Sequence, residues 1–153
     1  MLKNLKTILI LGLFFCLTVI LTGCLNQPQV FLPSQTLNSD AKILVQPVLF
    51  KNIANFSTLS LKIGFDSTVL ELARIDSSLK PQDFILTKEI SDNVISLALV
   101  REGENELAGP EILELKFKVK KTENTKLILK EAEVTDNQDK LIPVKLKNAE
   151  IEF

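Results

Sequence analysis

Leu59–Ile75 is LSLKIGFDSTVLELARI, a strand, a turn and the start of a second strand. Leu59, Leu61, Ile63 and Phe65 alternate with Ser60, Lys62 and Gly64. That period of two puts one side of a strand against a core and the other in water. Asp66-Ser67 then interrupts the alternation with two good capping residues, enough for one helical turn over Asp66–Leu70. Phe65 is expected to point inward at the end of its strand. Leu70 and Leu72 return to the core on a following strand, so Asp66 has a structural duty and no catalytic one.

The same alternation recurs outward from this corner. Ile95, Leu97 and Leu99 alternate with Ser96 and Ala98, and Leu113, Leu115, Phe117 and Val119 with Glu114, Lys116 and Lys118. Leu127 and Leu129 lie between lysines, and Ile142, Val144 and Leu146 alternate with Pro143 and Lys145. Ile43–Phe50 (ILVQPVLF) is denser, and its Pro47 cannot donate to a ladder, which predicts a sheet edge or a bulge. Turn-forming clusters separate the runs: Lys51-Asn52, Ser91-Asp92-Asn93, Glu102-Gly103-Glu104-Asn105, Glu123-Asn124 and Asp136-Asn137-Gln138-Asp139. Short strands about ten residues apart, with no long helical period, predict an all-β antiparallel sandwich of jelly-roll type.

The N-terminus has a different grammar. Lys3 and Lys6 precede an almost unbroken apolar run, Thr7–Leu21, followed by Leu21-Thr22-Gly23-Cys24. Basic, apolar and small residues in that order read as a secretory signal with its cleavage point before Cys24. The quartet resembles the lipobox of bacterial lipoproteins, which implies a diacylglycerol on the Cys24 sulfur and a mature chain starting there. An uncleaved anchor is the alternative, but a spanning helix wants about 20 apolar residues and this run is shorter. Residues 1–23 are therefore expected to be a signal peptide and 24–41 the lipidated cysteine and a polar tether. Residues 42–153 are expected to be the folded domain. Val30–Leu32 has enough apolar character to begin a first strand. Leu25 carries no acidic retention signal, so the resemblance implies a membrane-anchored extracytoplasmic protein, on the outer membrane in a two-membrane host.

Composition excludes several classes of function. The net charge is −1, and Lys3 and Lys6 leave with the signal, so the remainder is more acidic still. Nucleic acid and anionic membrane surfaces are poor partners for such a chain. There is no His, Trp or Tyr, and of two cysteines Cys16 lies in the signal and Cys24 is committed to lipid. No disulfide, no ordinary transition-metal ligand set and no histidine-dependent nucleophile relay can be written. Neither a cofactor nor a metal is expected, and the chain does not read as an enzyme. Asp136-Asn137-Gln138-Asp139 has oxygen ligands but lacks the glycine and distal glutamate of a calcium loop, and reads as a solvated turn. Glu102, Glu104, Glu106 and Glu111 read as a solvated acidic loop. The lysines Lys116, Lys118, Lys120 and Lys121 read as an outward or edge stripe that deters edge-to-edge aggregation.

Several stretches together resemble a cohesin domain, the dockerin-binding module of cellulosome scaffolds. Val45–Asn52 (VQPVLFKN) is similar to the family's second strand, and Leu59–Ile75 to its strand, "F-D-S-x-x-L-E" corner and next strand. Ile112–Lys120 (ILELKFKVK) and Leu127–Lys140 follow the order of its later strands and acidic turn. Pro143–Ile151 (PVKLKNAEI) resembles the closing strand, with Ala149 where a glycine is common. The likeness covers Lys42–Phe153. It implies that a dockerin lays its helices across a sheet face built by the strands matching Thr58–Phe65, Asp83–Glu89, Val94–Arg101 and Lys126–Lys130. The outward residues there are expected to be Thr58, Ser60, Lys62, Ile85, Thr87, Val94, Ser96, Ala98, Ile128 and Lys130. Best-known members carry an Asn and an Asp on the first of these strands. Thr58 and Ser60 stand at those positions here, with shorter reach and no charge.

The function expected is a protein-binding module that docks a dockerin-like or other secreted protein on that face, in polysaccharide degradation or surface assembly. A carbohydrate-binding module shares the architecture, but sugar faces are normally gripped by Trp or Tyr. A structural lipoprotein of an envelope assembly, its face buried against a neighbour, is the third reading. Fold alone does not separate the three.

Overall fold

A computed structural model describes residues 27–53, 56–77, 84–91, 93–101 and 111–153. Every regular element among them is a strand. They are β1 (Gln29–Phe31), β2 (Gln35–Thr36), β3 (Ile43–Lys51), β4 (Thr58–Gly64), β5 (Leu70–Ser77) and β6 (Phe84–Ser91). There follow β7 (Val94–Arg101), β8 (Glu111–Val119), β9 (Thr125–Thr135), β10 (Leu141–Ile142), β11 (Lys145–Lys147) and β12 (Ala149–Glu152). One sheet runs β11-β1-β3-β8-β5, and the other β2-β12-β9-β4-β7-β6 with β10 beside β9. The expected sandwich is the observed one, and its long strands pair antiparallel. Its short outer strands do not all follow: β1 pairs with β11, and β2 with β12, in parallel.

The core lies where the alternation puts it. Leu59, Leu61 and Ile63 of β4, Ile95, Leu97 and Leu99 of β7, and Leu113, Leu115 and Phe117 of β8 are all buried. Burying each such side chain contributes about 1.5–3 kcal/mol, and the alternate residues stay in water. The Asp66 corner closes as a hydrogen-bonded turn without becoming a helix. Asp66 Oδ1 accepts from the Thr68 N–H at 2.8 Å and from its hydroxyl at 2.7 Å, while the Leu70 N–H donates to Asp66 O at 2.8 Å. The two Thr68 bonds favour the carboxylate and hold the Asp66 pKa below the ordinary range. Phe65 packs against the core, its ring 5.6 Å from that of Phe117. Asn52, Asn93 and Asp139, each in an expected turn, adopt positive φ, which Asn and Asp tolerate better than most residues.

Four expectations are corrected in whole or in part. The fold begins well before residue 42: the stretch read as tether forms β1 and β2, and Val30 and Leu32 are completely buried. Composition hid this because the segment Pro33-Ser34-Gln35, polar in sequence, crosses between the sheets. It is held by Gln46, the one buried polar side chain among the described residues. Gln46 Nε2 donates to Pro33 O and its Oε1 accepts from Gln35 Nε2, both at 3.0 Å. Gln46→Leu is expected to lower unfolding free energy by about 1–3 kcal/mol, since its partners on the half-buried crossover lose their bonds. Chemical denaturation of both proteins measures it.

Pro47 is not on an edge strand, because β3 lies between β1 and β8. Still, β1 pairs only with Leu49–Lys51, and the register with β8 slips between Val48 and Leu49. The proline thus sits past the end of one neighbour and beside a bulge in the other ladder. The alternating run from Ile142 to Leu146, and the closing strand expected over Pro143–Ile151, divide into β10, β11 and β12. Pro143 ends β10, and the chain visits the opposite sheet as β11 before returning as β12.

The β8 lysines likewise do not guard an edge, since β8 is interior to its sheet. On its outer face Lys116 pairs with Asp76 and Glu114, both at 3.0 Å, and Lys118 with Glu71 at 3.6 Å. Arg74 reaches Asp76 at 2.8 Å. Lys116 first and Arg74 second hold the Asp76 pKa below its usual value. Asp66 and Asp76, like Glu150 beside Lys126, are depressed in the folded state, so their contribution is present above the ordinary carboxylate range. It is lost as pH falls through their folded values. The melting temperature should therefore drop between about pH 5 and pH 2, and the drop should be shallower in Asp66→Asn. A thermal-melt series in pH measures both.

Candidate docking face

The outer face of β9-β4-β7-β6 is laid out by the ladder register. Thr58 lies opposite Thr135 and Val100, and Val100 opposite Ile85. The next row is Glu133, Ser60, Ala98 and Thr87, and the third is Glu131, Lys62, Ser96 and Glu89. A fourth row holds Ile128, Gly64, Val94 and Ser91. Nine of the ten residues expected on this face fall in these rows, and Lys130, in the β9 bulge, reaches over Gly64. The middle rows are low, with Ser60, Ala98, Ser96 and Thr87 giving a floor of small side chains. Aliphatic groups stand at both ends: Ile85 is 56% and Val100 43% exposed at one, and Ile128 is 43% exposed at the other.

Its polar chemistry is sparse. Thr58 Oγ1 is 2.6 Å from Thr135 Oγ1, which is 2.9 Å from Ser57 Oγ, itself donating to Asp136 O at 2.7 Å. The Thr58 hydroxyl is therefore already part of a chain. Lys62 Nζ meets Glu131 at 2.7 Å. That hydrogen bond and charge, with the field of Glu133 added, raise the Lys62 pKa above the usual lysine value. Lys130 lies over Gly64, where a Cβ would come within 2.8 Å of its Cε. Asp136, read as a turn residue, accepts from the Gln138 and Lys140 N–H groups through Oδ1 at 2.8 and 3.0 Å.

Sequence reading missed Val100, Glu89, Glu131, Glu133 and Thr135. A bulge in β9 explains three of them: the β4 register shifts between Lys62 and Ile63, so outward parity on β9 changes from even to odd numbers. The signal is in LILKEAEV, where buried positions move from Leu127 and Leu129 to Val134, with Ala132 half-buried between. Asn148 stabilises the slip by accepting from the Leu129 N–H at 2.9 Å. Leu21, Thr22, Gly23 and Cys24, and the acids Glu102, Glu104 and Glu106, lie outside the described residues, as do Asp83 and the side chain of Glu111.

A two-sheet jelly roll with a low floor of small side chains on one outer face belongs to the class of β-sandwich modules. More particularly, the chain belongs to the cohesin family: the cohesin-domain model matches residues 29–153. No curated protein matches it in sequence. Among solved structures it is similar to a non-cellulosomal cohesin from the hyperthermophilic archaeon Archaeoglobus fulgidus. That likeness has a TM-score of 0.69 and 19% identity, over 82% of this chain and 89% of the other. It is similar to the sixth cohesin of Acetivibrio cellulolyticus scaffoldin B, solved with a Cel5 dockerin mutant (TM-score 0.69, 17% identity, 83% and 99% covered). A type I cohesin from Clostridium thermocellum in complex with a dockerin gives 0.68 and 17%, covering 82% and 94%. At these identities the likeness establishes the fold.

Proposed function

We propose that this protein is a membrane-anchored, extracytoplasmic docking module that captures a dockerin-like partner on the outer face of β4, β6, β7 and β9. The observation that carries this reading is the contrast between the two outer faces. On the five-stranded sheet, β5 and β8 carry four ion pairs, those of Arg74, Lys116 and Lys118 with Asp76, Glu114 and Glu71. Among the described residues the opposite sheet has two on its outer face, Lys62–Glu131 and Lys126–Glu150, both involving β9, and beside them Ser60, Ala98, Ser96 and Thr87 form an uncharged floor next to the exposed Ile85 and Val100. Ion-paired surface is costly to strip of water, whereas small and aliphatic surface is cheap to cover. Cohesins of similar fold have been solved in complex with dockerins, which supports a partner of that kind.

Immobilised full-length protein in detergent micelles, offered calcium-loaded dockerins, tests the function. Saturable capture is expected; no dockerin retained, alongside specific retention on a polysaccharide, would overturn the reading in favour of sugar binding. Anchoring rests on Leu21-Thr22-Gly23-Cys24, and its context in polysaccharide degradation or surface assembly follows from what the partner carries. Expressed in a bacterial host, the native chain should incorporate labelled palmitate and fractionate with membranes. Cys24→Ala should lose the label, and an unlabelled native chain would remove the lipid from the account.

A further inference from the structure

The charges on the face single out two carboxylates. Glu131 is consumed by Lys62, and Lys130 is laid over Gly64. Glu133 and Glu89 are exposed and form no ion pair or hydrogen bond among the described residues, Glu133 acting on Lys62 only through its field. Glu133 is on β9 in the Ser60–Ala98 row, and Glu89 is on β6 in the next row, beside Ser96. They stand at opposite ends of a diagonal whose floor is Ser60, Ala98 and Ser96.

The geometry of that diagonal follows from the lattice of the sheet. Three strand spacings separate β9 from β6, about 14 Å, and one row step adds about 7 Å along the strands, giving a diagonal of about 16 Å. A helix rises about 1.5 Å per residue, so 16 Å is about eleven residues, or close to three turns. Positions eleven apart therefore share one side of a helix. We propose that the partner's docking helix carries two basic side chains about eleven residues apart, one received by Glu133 and the other by Glu89, with small residues between them seated over Ser60, Ala98 and Ser96. The inference rests on the docking-face reading and adds the partner's charge pattern and the direction in which its helix crosses the strands.

The probe is a yeast-displayed library of calcium-loaded dockerins in which the exposed positions of one helix are randomised. It is sorted on the full-length protein in detergent micelles. Native protein should enrich Lys or Arg at two positions ten to twelve apart. Glu133→Lys with Glu89→Lys should enrich Asp or Glu at the same positions and bind the first set about tenfold or more weakly. Glu133→Gln with Glu89→Gln keeps the shape and should abolish the preference, and melting curves establish that each variant is folded. Binders with no charge preference at that spacing, or with one preference on all three proteins, would overturn the inference and leave the docking face standing. Recovery of no dockerin at all would overturn the face and the inference together.

Discussion

Ser60→Arg combined with Ala98→Glu should reduce dockerin capture by about a hundredfold or more while leaving the melting temperature nearly unchanged. The two residues are directly opposite across β4 and β7, at the centre of the low floor. Their Cβ atoms are then about 5 Å apart, so the two new side chains form a cross-strand pair of opposite charge and do not repel. Both point away from the core, whose contacts they leave intact. A partner seated on the floor would have to bury or displace two long charged groups. Obstruction at the centre of an interface is where substitutions cost most, and about 2.7 kcal/mol corresponds to a hundredfold. Calorimetric titration and thermal melting on the same samples separate lost binding from lost fold. Undiminished capture would move the binding site elsewhere.

Phe117→Ala is expected to have the largest effect on stability, about 3–5 kcal/mol. Phe117 is fully buried in the interior strand β8, opposite Leu44 on β3 and Leu72 on β5, with Phe65 against its ring. β3 is held on its far side by β1, which limits how far the space left by the ring can collapse, whereas β5 is an edge strand with β8 as its only neighbour. Against a typical total of about 5–15 kcal/mol, such a loss brings the domain close to unfolding at physiological temperature. Urea denaturation measures it. A loss below about 1 kcal/mol would mean that the two sheets repack freely at this end of the sandwich. Phe65→Ala should cost less, because Phe65 is only partly buried.

What could be read from the sequence was whatever a strand's own residues specify. Leu59–Phe65, Ile95–Leu99 and Leu113–Val119 show their inward and outward faces directly, because a strand in one sheet of a sandwich has one wet side. The Asp66 corner was equally readable, since the capping carboxylate and the residues it holds are neighbours in the chain. Lost were the features that depend on a partner distant in sequence. β1 and β2 exist because Lys145–Lys147 and Ala149–Glu152 pair with them and because Gln46 holds the crossover, none of which shows in Gln29–Thr36 itself. The division of Ile142–Ile151 among two sheets is likewise a consequence of where β1 and β9 lie. The docking face shows both cases. Thr58, Ser60, Lys62, Ser96 and Ala98 follow from alternation, whereas Glu131, Glu133 and Thr135 required the bulge that reverses parity on β9.

If one outer face docks the partner and the other does not, the exposed aliphatic residues report on it directly. Ile85, Val100 and Ile128 stand on the β9-β4-β7-β6 face, and Ile43 and Val45 on β3 of the opposite sheet, all well exposed. Hydroxyl-radical footprinting of the full-length protein, with and without a captured calcium-loaded dockerin, reads all five by mass spectrometry. Protection of Ile85, Val100 and Ile128 with Ile43 and Val45 unchanged is the predicted result. Protection of Ile43 and Val45, with the other three still oxidised, would contradict the account.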